Sequence, residues 1–190
     1  MSSAVAPPSL VDFLASVKVH LDPDQIQDRD LGRCTVDGVM PRVAVAPSSL
    51  AELQFVLARA HAARLSVIPV GGGTHLAAGN VPVAYDVALS LARMDRVVAY
   101  EPADLTVTVE PGVCLAALQE RLAVQGQFLP LDPPCRDAAT IGGVLSANAS
   151  GPVRHAYGTA RDWLIGARVV HADGSTSKSG GRVVDRKSVV

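Results

Sequence analysis

The chain has 190 residues, 48% of them apolar and 18% charged, with a formal net charge of -1. That composition describes a folded globular chain with enough length for one substantial domain or two small lobes. It excludes a disordered chain, and the absence of basic blocks and aromatic ladders argues against nucleic acid as a partner.

No apolar run reaches the roughly 20 residues that a membrane span needs. Met1 to Ser9 lack a basic cluster followed by an apolar core, so no secretory signal is expected. Cys34, Cys114 and Cys135 are odd in number and scattered. They form neither a disulfide framework nor a zinc knuckle, and are expected to be reduced thiols in a cytoplasmic protein, with no metal site.

In chain order, Ser9 to Leu21 predicts an amphipathic helix. Leu10, Phe13, Leu14 and Val17 recur at helical spacing behind Ser9 as a cap. Leu21 to Pro41 is polar, with turn signals at Asp22-Pro23 and Asp37-Gly38, and reads as a link. Val43 to Ala46 predicts a short strand. Ser48 and Ser49 are placed to cap a helix over 50–63, with Glu52 completing a capping box. Leu65 to Val70 is a second strand, making a parallel strand–helix–strand unit, and Val83 to Leu89 can add a third.

The second half predicts an antiparallel pattern. Arg96 to Tyr100 and Leu105 to Glu110 flank the turn Glu101-Pro102-Ala103-Asp104. Leu115 to Val124 is an amphipathic helix ended by Gly126. Ala167 to His171 and Ser175 to Ser179 form a hairpin around Ala172-Asp173-Gly174.

Three segments carry chemistry. Gly71-Gly72-Gly73-Thr74 ends a strand without side chains for one turn, so its backbone can adopt positive φ and aim N–H groups at an anion such as pyrophosphate. A flexible turn is the competing reading. It is neither a Walker loop nor a dinucleotide fingerprint, because no Gly-Lys-Ser/Thr and no helix follow. Thr140 to Gly151 opens with Gly142-Gly143 and runs on small residues. These admit a flat ligand close to the backbone, or simply pack a helix tightly. Tyr157 to Gly166 alone reads as a turn, a short helix and a strand start, with Arg161 and Asp162 on the surface.

The order and spacing of the three resemble the FAD-binding domain of the vanillyl-alcohol oxidase / p-cresol methylhydroxylase (PCMH-type) superfamily. Within it, Gly126 to Pro134, Ala139 to Gly151, His155 to Gly158 and Gly180 to Val184 are similar to the FAD-binding subunits of bacterial glycolate oxidases. The resemblance implies an α+β fold with a small parallel βαβ lobe and a larger, mainly antiparallel α/β lobe. It implies boundaries of 1–40 for the N-terminal helix and link and 41–184 for the FAD-binding domain. Gly71, Gly72, Gly73, Thr74 and His75 would lie at the pyrophosphate. Thr140, Gly142, Gly143, Ser146, Asn148 and Gly151 would surround the flavin or its ribityl chain.

Some members attach flavin through a histidine directly after the glycines. Here that position is Thr74, so FAD is expected to be non-covalent. His75, His155 and His171 sit in no catalytic motif, and no catalytic residue is assigned. The implied chemistry is oxidation of a 2-hydroxy acid such as glycolate, with the substrate groups in a domain beyond this chain. The implied partners are a second flavoprotein subunit and an iron–sulfur subunit passing electrons towards a membrane acceptor. Alternatives are other oxidoreductases of this fold (D-lactate dehydrogenase, alditol oxidase, UDP-N-acetylmuramate reductase), or a non-catalytic flavin-binding assembly subunit. The last six residues, Asp185 to Val190, match one frame of a common sequencing adapter. They are expected to be a non-native tail, leaving a fragment inactive by itself.

Overall fold

The computed structural model describes residues 10–181. The proposed Ser9 cap, Val183-Val184 and the tail 185–190 lie outside the described residues.

Helix α1 (Leu10–Lys18) follows the predicted periodicity: Phe13 and Val17 are buried, and Leu10 and Leu14 pack beside them. It lies against helix α2 (Leu50–Ala62). The Ser49 hydroxyl accepts the Glu52 N–H at 3.2 Å, and the Glu52 carboxylate accepts the Ser48 N–H at 2.8 Å. Both serines therefore cap, one on each side of the reciprocal pair. Glu52 also accepts from Gln25 Nε2 at 2.7 Å, fastening the stretch before the first long strand to the helix.

Four strands form one sheet: β1 (Ile26–Gln27), β2 (Val43–Val45), β3 (Val67–Val70) and β4 (Val87–Ser90), in the order β1-β2-β4-β3. Strands β2, β4 and β3 are parallel, with Val43, Val87 and Val67 in register, and β1 is an antiparallel edge. Two sequence expectations change here. The stretch read as a link contributes an edge strand. The β2–α2–β3 unit is parallel, but its strands are not neighbours, because β4 inserts between them. The physical reason lies in composition: Pro69 of β3 has no N–H for a second ladder, so β3 takes an edge. Val87 and Ala88 of β4 are completely buried, as a central strand requires.

Alternation along the strands divides the apolar side chains between the sheet's two faces. Val43, Val45, Val87 and Leu89 enter a core shared with α1 and α2. Ala44, Ala88 and Val70 face a smaller cluster with Leu31, Val36 and Tyr85.

The second lobe contains hairpin β5 (Val97–Glu101) and β6 (Thr106–Val109), and helix α3 (Leu115–Ala123), which buries Leu115, Leu118 and Leu122. Helix α4 (Ile141–Ala147), the short helix α5 (Arg154–Tyr157) and a 3-10 turn at Ala160–Trp163 follow. Hairpin β7 (Gly166–Val170) and β8 (Thr176–Gly180) closes the described chain. The two hairpins are antiparallel, as predicted, but among the described residues they stay separate two-stranded sheets. The β7–β8 turn returns to the first lobe. Gly174 has φ +84°, a Cβ there would lie 2.6 Å from the Gln54 carbonyl oxygen, and Gln54 Nε2 donates to Gly174 O at 3.0 Å.

Candidate functional site

The three segments singled out in the sequence converge where the lobes meet. Strand β3 delivers the glycine loop there, and its glycines are needed for two different reasons. Gly73 has φ +72°, a left-handed conformation that an L side chain resists. Gly71 and Gly72 do not have positive φ; they are needed for close approach. A Cβ on Gly71 would sit 2.3 Å from Thr140 Oγ1, and one on Gly72 would sit 1.6 Å from the Ala138 carbonyl oxygen. The loop is therefore pressed against the strand-like entry to α4.

That entry is fixed from the other side. Leu115 N–H donates to Ala139 O, Ile141 N–H to Val113 O, and Gly142 N–H to Pro111 O, all at 2.8–2.9 Å. A Cβ on Gly142 would meet the Pro111 backbone and ring at 2.6–3.1 Å, so this glycine serves packing. Thr140 is the N-cap of α4, its hydroxyl accepting the Gly143 N–H at 3.4 Å. Two of the residues expected beside the flavin thus spend their amides inside the protein. Ser146, on the exposed side of α4, donates to Gly143 O at 3.1 Å.

Asn148 ends α4 in the left-handed region at φ 44°, and its Oδ1 accepts the Arg161 N–H at 3.3 Å. This bond joins the second segment to the third. Asp162 is not a free surface charge: it accepts from the Thr159 N–H at 2.7 Å and the Thr159 hydroxyl at 2.9 Å. Those bonds hold its carboxyl below the usual carboxylate range. Gly151 N–H and Val153 N–H each donate to the Asp132 carboxylate at 3.0 Å. Asp132 lies within the Gly126–Pro134 stretch that carries the resemblance, and no sequence signal marks it as a site residue. Its two bonds span 19 and 21 positions along the chain, and no local pattern reports such a contact.

What remains available is a set of donors. Among the described residues, the N–H groups of Gly71, Gly72, Gly73 and Thr74 donate to no protein acceptor. The Thr74 hydroxyl lies beside them, 3.2 Å from His75 Nδ1. A 3-10 turn, Leu76–Ala78, follows His75, too short to supply a helix dipole. Amides without a protein acceptor on a surface without side chains suit a polyanion such as a diphosphate, so the residues present fit the phosphate part of FAD. In the cluster with Leu31, Val36 and Val70, the Tyr85 phenol is buried without a hydrogen-bond partner among the described residues, and burial, helped by the nearby Cys34 thiol, pushes it up to about 12. Burial likewise raises the Cys34 thiol. Among the described residues no cluster of histidine, cysteine or carboxylate side chains has the geometry of a metal site.

A family model described as an FAD binding domain matches residues 41–180. Glycolate oxidase subunit GlcD of Bacillus subtilis (strain 168) is 30% identical over 85% of this chain and 36% of its own length. D-2-hydroxyglutarate dehydrogenase of Xanthomonas citri pv. viticola is 32% identical over 78% of this chain and 31% of its own. The chain thus spans about a third of the length of these curated relatives. The crystal structure of p-cresol methylhydroxylase with substrate bound superposes on 90% of this chain and 35% of that one, with a TM-score of 0.74 at 19% identity, which speaks for the fold alone.

Proposed function

The chain belongs to the FAD-binding domain family, with FAD as its cofactor and the PCMH-type fold, and from that premise we propose that it is the cofactor-binding part of an oxidoreductase acting on a small 2-hydroxy acid. The observation that carries the reading is the Gly71–Thr74 loop, whose amides have no acceptor among the described residues and whose backbone is braced by Ala138 and Thr140. In this reading the loop amides and the Thr74 hydroxyl bind the diphosphate. Helix α4 then runs alongside the ribityl chain, and Asn148 and Gly151 border the ring. FAD supplies a ring that accepts a hydride from the substrate carbon; the protein binds it, orients it and limits water access. Both named relatives carry the names of 2-hydroxy acids, glycolate and D-2-hydroxyglutarate, which supports the substrate class and leaves glycolate as one member of it.

The proposed attachment is non-covalent, since Thr74 rather than a histidine follows the glycines. The groups that bind substrate, a second flavoprotein subunit and an iron–sulfur subunit are proposed outside this chain, on the resemblance alone. A cytoplasmic setting is proposed with them. No helix among the described residues is long and apolar enough to cross a membrane.

Titration of the 190-residue chain with FAD tests the reading. Quenching of flavin fluorescence at a one-to-one ratio, with all flavin released by acid precipitation, is the expected result. No retention of FAD, or flavin that stays with the precipitated protein, contradicts binding or its non-covalent form respectively.

A further inference from the structure

We propose that Asp132 is the positioning residue for the flavin-facing border of the site, an inference that rests on the cofactor placement above. The border is the stretch from Asn148 to Val153, which leaves the C-terminal end of α4. This helix has seven residues, so the border stands about 10 Å along the helix from the glycine loop, at 1.5 Å per residue. A ligand anchored by its phosphates at the loop and extended along α4 reaches it.

Nothing within the stretch itself holds it rigid. Asn148 is in the left-handed region, and α5 is a single turn. Asn148 Oδ1 ties its start to the Arg161 N–H at 3.3 Å, and Gly151 to Val153 are anchored by Asp132, between buried Leu131 and buried Pro133. One carboxylate oxygen accepts the Gly151 N–H and the other accepts the Val153 N–H, each at 3.0 Å. Two N–H groups shared between the two oxygens of one anion fix both the height and the tilt of the segment, and charge strengthens both bonds. The contact is too close for a side chain: a Cβ on Gly151 would lie 2.4 Å from Asp132 O and 2.5 Å from Oδ2. Gly151 is glycine because Asp132 is against it. Asp132 therefore acts on the flavin environment through the Asn148–Val153 backbone, without serving as an acid or base.

The variant D132N keeps the shape but turns one acceptor into a donor facing an N–H. A matched control is D86N. The Asp86 carboxylate likewise accepts a backbone N–H and a hydroxyl, both from Ser66, at 2.9 and 2.6 Å. Ser66 precedes β3, at the far end of that strand from the glycine loop. Each chain is titrated with FAD, its bound-flavin absorption spectrum recorded and its thermal midpoint measured. The expected result is a loss of about tenfold in FAD affinity and an altered flavin spectrum in D132N. D86N is expected to lose thermal stability while its affinity and spectrum stay those of the wild type. A D132N chain with wild-type affinity and spectrum overturns the proposal, as does a D86N chain that loses affinity in the same proportion. If D132N does not fold, Asp132→Glu keeps the charge and both acceptors but moves the segment by one methylene. A wild-type flavin spectrum in that variant also overturns it. Failure of the wild-type chain to take up FAD is a separate outcome, which removes the cofactor placement and the proposal together.

Discussion

Replacing Gly72 by alanine places a methyl group where the structure has a carbonyl oxygen. The new Cβ would lie 1.6 Å from Ala138 O and 2.7 Å from its carbon. Neither atom belongs to a side chain that can swing away. Restoring ordinary contact at 3.4 Å requires the loop and the Ala138–Thr140 segment to separate by about 1.8 Å. Ala139 and Ile141 are tied to Val113–Leu115 on the far side, so the loop must move. Overpacking of this kind costs about 3 kcal/mol of folding stability. A displacement of that size also takes the amides of Gly72 and Gly73 out of hydrogen-bond range of a bound diphosphate. The loss of each such charge-assisted bond is worth roughly 1.5–3 kcal/mol, so with two lost FAD affinity should fall by at least about a hundredfold. The assay is a fluorescence titration with FAD beside a urea unfolding curve. Gly79→Ala is the control: nothing lies within 4 Å of its Cβ position, so it should change stability by less than about 0.5 kcal/mol. A G72A chain with the wild-type unfolding midpoint and FAD affinity within about threefold of the wild type would refute the cradle argument.

Two further outcomes follow from buried contacts. Tyr85→Phe removes a hydroxyl with no partner, so stability near neutral pH should hold or rise. The phenol's pKa is raised from 10.0 to about 12. Below 10 both folded and unfolded states keep the proton and the effect on stability vanishes. Between 10 and about 12 the unfolded chain ionises first, so stability falls with rising pH, by at most roughly 3 kcal/mol. Urea unfolding followed into the alkaline range should show that slope in the wild type, and a Y85F curve with the same slope would contradict the assignment. Gly174→Ala combines φ +84° with a Cβ only 2.6 Å from Gln54 O and 3.0 Å from Ala58 Cβ. It should cost roughly 2–4 kcal/mol and loosen the β7–β8 hairpin from α2. Hydrogen exchange should show faster exchange in 166–180, and unchanged protection there would count against the docking.

Local chemistry in the sequence determined most of the elements, and the resemblance carried by three of its segments pointed to the cofactor. The spacing of Phe13 and Val17, the serines before Leu50 and the valine-rich strands each follow from side-chain periodicity or capping, which depend on near neighbours. The glycine loop and the Thr140–Gly151 segment stood out as candidate ligand-binding segments because runs of small residues are visible in a one-dimensional string. Pro69 even carried the information that β3 must be an edge strand. The order of the sheet was decided by tertiary structure, because which strand enters the middle depends on burial on both faces. So was the reason for each glycine. A string of three cannot say that Gly73 answers to backbone dihedral angles while Gly71 and Gly72 answer to Thr140 and Ala138, more than sixty positions away. Asp132 belongs to the same class: a carboxylate acquires two N–H partners only when distant backbone is folded against it.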